Sequence, residues 1–135
     1  MEKERFLKEW KKEYPELDIE SLEESGSFLK GSFSFVDSQL DYPFYCSFSI
    51  GNSSASFSLF CILKREDFEA LNAFRLSNPF VLAFFEDGRL VFHRRELTVL
   101  DERDAVIKLG AFFGYVFDYD AEAFVRLVNE VRKHA

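Results

Sequence analysis

The sequence predicts an α+β fold: an N-terminal helix, a three-stranded antiparallel meander, a second helix, a β-hairpin and a long C-terminal helix. Three observations predict it. Serine alternates with phenylalanine or another apolar residue in GSFSFV (31–36), CSFSI (46–50) and SASFSLF (54–60), and a period of two is the period of a strand. Apolar residues recur three and four apart before Pro15, after Leu63 and from Asp101 onward, which is the spacing of a helix stripe. Between the last two helical segments, FVLAFFEDGRLVFHRREL (80–97) places two apolar runs about an Asp-Gly turn, a strong hairpin signal.

Composition sets the frame for these elements. At 135 residues the chain is expected to form a single domain, 1–135, that hides roughly two-thirds of its unfolded surface. Apolar residues make up 47% and include 18 phenylalanines, which excludes intrinsic disorder. Seventeen Lys and Arg against 24 Asp and Glu give a formal charge of −7, so phosphate backbones and anionic lipid are repelled. Nucleic acid and membrane are therefore not expected as partners. The charged start MEKERFLKEW and the lack of a long apolar run predict a cytoplasmic protein.

The first helix spans 2–14, with Phe6, Leu7, Trp10 and Tyr14 on one stripe, and Pro15 stops it. The acidic stretch PELDIESLEESG that follows reads as a connector. In the three strands, Phe33 and Phe35, then Phe44, Cys46, Phe48 and Ile50, then Ala55, Phe57, Leu59, Cys61 and Leu63 share one face. A two-residue loop at Asn52 and Ser53 sets Phe48 opposite Phe57 and Cys46 opposite Leu59, and a one-residue slip would turn the phenylalanines to the serine face. Cys46 and Cys61 are expected to act as small core hydrophobes.

The serine face is apolar at one end. There Tyr45 lies opposite Phe60, with Ile62 one step on and Val36 at the matching end of the first strand. Two readings fit: packing beneath the connection DSQLDYP (37–43), the plainer one, or a patch for a protein partner.

The second helix carries Phe68, Leu71 and Phe74 three apart and ends at Asn78 and Pro79. With Asp87 and Gly88 at the hairpin turn, Leu82 faces His93 and Phe84 faces Val91 on one side, while Phe85 and Leu90, Ala83 and Phe92 pair on the other. Both faces are apolar, so the hairpin is expected to be covered twice, by the core and by a helix or a second subunit. Phe80, Leu82, Phe84, Val91 and His93 are the candidate dimer contacts.

The C-terminal helical period meets one obstacle at Asp120, which either caps a new helix after a break or points a carboxylate at the core; capping is the plainer reading. Gly110 and Gly114 form a G-x-x-x-G pair, for which close approach of the sheet backbone is the expected compensation.

Catalytic patterns are missing. The histidines are His93 and His134, and His93 reads as a packed or interface residue. Asp118, Asp120 and Glu122 alternate without the loop of a calcium site. The six glycines follow no phosphate-binding spacing, and no serine sits in G-x-S-x-G. No metal, cofactor or catalytic residue is expected.

The element order, together with LNAFRLSNPFVLAFFEDGRLVFHRREL (71–97), resembles the type III secretion chaperone-like fold, most closely its YbjN-type branch of bacterial sensory transduction regulators. Leu71 and Asn72 fit that branch's Leu-Asn pair, and Asp87 and Gly88 fit its acidic-Gly turn. Arg75 stands where a second asparagine is often found, unless Asn78 takes that place. The resemblance implies a small, acidic, dimeric, non-enzymatic protein that binds other proteins, with the second helix and hairpin region building the dimer. Two other readings remain: a small apolar ligand-binding domain, and an acidic immunity or antitoxin protein.

Overall fold

A computed structural model describes residues 1–134. Among the described residues the chain forms helices α1 (Lys3–Glu13), α2 (Phe68–Ser77), α3 (Glu102–Phe113) and α4 (Ala121–Arg132), with a π-helical turn, Gly114–Asp118, between the last two. The strands are β1 (Ser21–Ser25), β2 (Phe28–Asp37), β3 (Tyr42–Ile50), β4 (Ala55–Ile62), β5 (Leu82–Glu86) and β6 (Arg89–Glu96). They make one antiparallel sheet in the order β1-β2-β3-β4-β6-β5. The α+β class is as the sequence predicts.

The expected registers are present. Phe48 pairs with Phe57, Cys46 with Leu59 and Tyr45 with Phe60, while Phe84 pairs with Val91 and Leu82 with His93. At the hairpin turn Asp87 and Gly88 both take positive φ (51° and 74°), as a tight turn matched to the strand twist requires.

The meander has one strand more than expected. Residues 21–25, placed in the connector, form β1 against β2, with Ser21 opposite Ser32 and Glu23 opposite Lys30. Four of its five residues are exposed and only Leu22 is half-buried, because an edge strand needs little apolar surface and is protected by charge. The alternation that marks a half-buried strand is therefore missing from its sequence.

The C-terminal helix is not continuous. At its break Tyr119 N–H donates to Gly114 O at 3.0 Å, a π-type bond, and Asp120 then accepts from Ala123 N at 3.1 Å as the N-cap of α4. The capping reading of Asp120 is the one observed. The glycine pair differs from expectation: a Cβ at Gly110 would stand 2.8 Å from the Tyr14 hydroxyl, and Gly114 faces open space. Gly110 thus accommodates a tyrosine from the end of α1, not the sheet backbone.

All the helices lie on one side of the sheet, over the alternate positions Phe33, Phe44, Phe57, Leu59, Leu90 and Phe92, each at most 1% exposed. Aromatic rings fill the space between the layers: Phe48 meets Phe6 at 5.4 Å, Phe57 meets Phe112 at 5.8 Å and Phe92 meets Phe124 at 5.6 Å. Cys46 and Cys61 belong to this core. Burial pushes both thiols up, Cys61 from an ordinary 9.0 to about 12 and Cys46 further. At neutral pH the Cys61 thiolate is then about a thousandfold scarcer than in a free cysteine, and the thiolate is the reacting species. Native protein is expected to leave Ellman's reagent unreacted over the time in which urea-unfolded chain titrates two thiols. Rapid reaction of the native protein would contradict this burial.

Candidate functional site

Among the described residues, the other face of the sheet carries no helix. Its side chains come from the alternate strand positions, so the registers fix a grid of rows that cross the strands. One row reads Ser34, Tyr45, Phe60, Val91, Phe84, and the next toward the hairpin turn contains Ile62, Arg89 and Glu86, with Val36 opposite Pro43 on the far side. In the opposite direction the rows turn polar on the middle strands: Ser32, Ser47, Ser58, His93, with Leu82 at the β5 end, and then Lys30, Ser49, Ser56, Arg95. Polarity thus changes along the strands and stays similar across them.

The apolar rows make a belt. Tyr45 and Phe60 stack at 5.0 Å with a 19° interplanar angle, and the Arg89 guanidinium lies 4.5 Å from the Phe60 ring centroid, a cation–π contact. Val36 is 60% exposed and Ile62 41%, and Leu82, 58% exposed, adjoins the belt from the row of His93. The connection 37–43 does not cover them: Leu40 turns into the core and its carbonyl accepts from Arg132 of α4. Packing beneath that loop, the plainer expectation, is therefore not what the chain does.

Two groups of candidates treated separately in sequence are one surface. Leu82, Phe84, Val91 and His93 continue directly into Phe60, Tyr45 and Ile62 because β6 inserts between β5 and β4. The hairpin is covered by the chain on its Ala83, Leu90 and Phe92 side, and open on the other. Phe80 is the exception. Its ring stacks on Tyr115 at 4.6 Å and meets Tyr119 edge-on at 4.9 Å, so its contacts are with the π-helical turn. A stop signal after α2 hides this, since the partners of Phe80 lie 35 and more positions away.

The sheet edges offer less. At β5 the Ala83 carbonyl accepts from Arg75 Nε at 2.7 Å, which places α2 against that edge. At β1 the exposed residues Glu23 and Glu24 discourage strand addition. Arg75 therefore has a structural task that composition and spacing do not disclose.

His93 accepts or donates a hydrogen bond with Ser58 Oγ through Nδ1 at 2.8 Å. Burial, and then the charge of Arg95, hold its pKa below the ordinary 6.5. A serine beside an imidazole begins a nucleophile–base arrangement. The setting withholds the rest: β4 is paired on both sides, so the strand N–H groups beside Ser58 serve the ladders, and oxyanion stabilisation needs free donors. Among the described residues no group of three His, Cys, Asp or Glu side chains forms a metal cluster. One surface depression, between α1 and α3, is lined by Arg5, Lys8, Glu9, Asp101, Glu102 and Arg103, a charged setting unlike an apolar ligand pocket; a second, beside α1, is lined by Leu7, Trp10, Tyr14, Pro15, Leu17 and Ile19. No helix among the described residues is long and apolar enough to cross a membrane.

The fold and the open face define an α+β protein with one helix-covered and one bare sheet face. Comparison with protein-family models, curated proteins and solved structures finds no match.

Proposed function

We propose that this chain is a non-enzymatic protein-binding module, chaperone-like or regulatory, of the YbjN type, working in the cytoplasm as a homodimer through its open sheet face. The observation that carries this reading is the apolar belt from Val36 to Phe84, which crosses β2, β3, β4, β6 and β5 and is adjoined by exposed Leu82 in the next row. Contiguous exposed apolar area of this kind marks interaction surfaces. The incomplete Ser58–His93 arrangement supports a binding role over a catalytic one. The ring-filled core leaves the ligand-binding alternative to surface clefts such as the one lined by Leu7, Trp10, Tyr14, Leu17 and Ile19. An acidic immunity surface is poorly matched by a face that sets Lys30, Arg89 and Arg95 against Glu23 and Glu86.

Light scattering coupled to size exclusion tests the dimer. A mass near twice 15.8 kDa at both low and high salt is expected, since apolar contacts are not screened. Phe84→Asp is expected to give a folded monomer, because it would place a charge in the belt. A wild-type monomer would overturn the reading, and an unchanged dimer for Phe84→Asp would remove the hairpin from the interface.

A further inference from the structure

We propose, resting on the dimeric reading above, that two copies pack open face to open face about a two-fold axis running along β4. Phe60 and Ile62 then meet their counterparts, and Tyr45 meets Val91 of the second copy.

The banding of the face selects the direction of the axis. An axis parallel to the strands lays each row on the same row of the second copy, so that the belt rows meet belt rows and Ser58 and Ser56 meet their counterparts. An axis along the Tyr45–Phe60–Val91 row would exchange the rows on either side of it, setting Arg89 against His93 and Ile62 against Ser58.

Charge and coverage select the strand. An axis midway between β3 and β4 would oppose Lys30 of β2 to Arg95 of β6, a like-charge contact. An axis on β3 would leave Leu82 and Phe84 of β5 beyond the second copy's β1, because β5 lies three strands from β3 and β1 only two. With the axis on β4, Arg95 faces Ser49, Phe84 faces Ser34, Leu82 faces Ser32 and Val36 faces Glu86, no like charges are opposed, and the whole belt is covered. Five overlapping strands and four rows measure about 24 Å by about 25 Å at ordinary sheet spacings. That projection, roughly 600 Å² before side-chain relief, is near the ~800 Å² per partner of a stable interface. Two sheets with strands nearly aligned pack in this way at about 10 Å separation.

Cross-linking of single-cysteine variants tests the axis, since Cys46 and Cys61 are buried. Ser58→Cys on β4 is near-isosteric and would lie next to its own copy, whereas Ser32→Cys on β2 would lie two strands from the axis. Treated with a short bismaleimide at equal concentration, the position-58 variant is expected to cross-link roughly tenfold faster or more, as apposed groups share a high effective concentration. Masses of the same samples separate the failures. Dimeric mass with equal or reversed cross-linking rates overturns the axis and leaves the dimer standing. Monomeric mass in the wild-type chain overturns both.

Discussion

Gly31→Ala is expected to destabilise the chain by about 3 kcal/mol, at the upper end of what overpacking a core costs. An alanine Cβ at this position would stand 2.3 Å from Cζ of Phe48, with two further ring carbons at 2.8 and 2.9 Å. These are atoms of one rigid ring, cross-strand from Gly31, and the ring is itself held by Phe6 at 5.4 Å and Phe33 at 6.4 Å. The methyl group has no flexible neighbour to displace. For a chain of this length the melting temperature should fall by about 10 °C. A double-mutant cycle identifies the cause. Phe48→Leu alone should destabilise by leaving a cavity, yet in the Gly31→Ala background it should restore part of the loss. Additive destabilisation would mean that the Phe48 ring is not what excludes a side chain from position 31.

Asn78→Ala is expected to cost about 2–4 kcal/mol, the sum of a buried acceptor and a buried donor left unpaired. Asn78 is 2% exposed and stands alone as a buried polar side chain among the described residues. Its Nδ2 donates to Tyr115 O at 2.7 Å and its Oδ1 accepts from Phe80 N at 3.0 Å. One amide therefore ends α2, sets the entry of β5 and satisfies a carbonyl of the π-helical turn. Asn78→Asp should be at least as damaging, since a carboxylate would accept from Phe80 but turn an anion toward the Tyr115 carbonyl. Urea denaturation measures both variants. An aspartate variant as stable as wild type would show that the bond to Tyr115 contributes nothing.

Strand periodicity made the central sheet legible from sequence because β2, β3 and β4 each have one buried and one open face, and the alternation of Phe with Ser records both. The hairpin was legible for a different reason: its turn requires two residues at positive φ, and Asp-Gly supplies them. β1 was not legible, because an exposed edge strand imposes no apolar pattern. The use of Gly110 was read wrongly because its neighbour Tyr14 is distant in sequence, and nothing local distinguishes a close side chain from a close backbone. His93 was singled out by its place in the hairpin, but its bond to Ser58 depends on β6 pairing with β4.

What the sequence determined by itself was local: which residues alternate, where the first two helices stop, which pairs face one another within a hairpin, and that a cap is the plainer role for Asp120. These follow from backbone geometry and from burial periods that act over a few residues. The tertiary structure alone decided the insertion of β6 between β4 and β5, the turn of Leu40 into the core, and the placement of every helix on one side. Those choices depend on long-range contacts and on the space each layer leaves. Their result is that Val36, Tyr45, Phe60 and Ile62 share one open surface with Leu82, Phe84, Val91 and His93, while Phe80 turns to Tyr115 on the helix side.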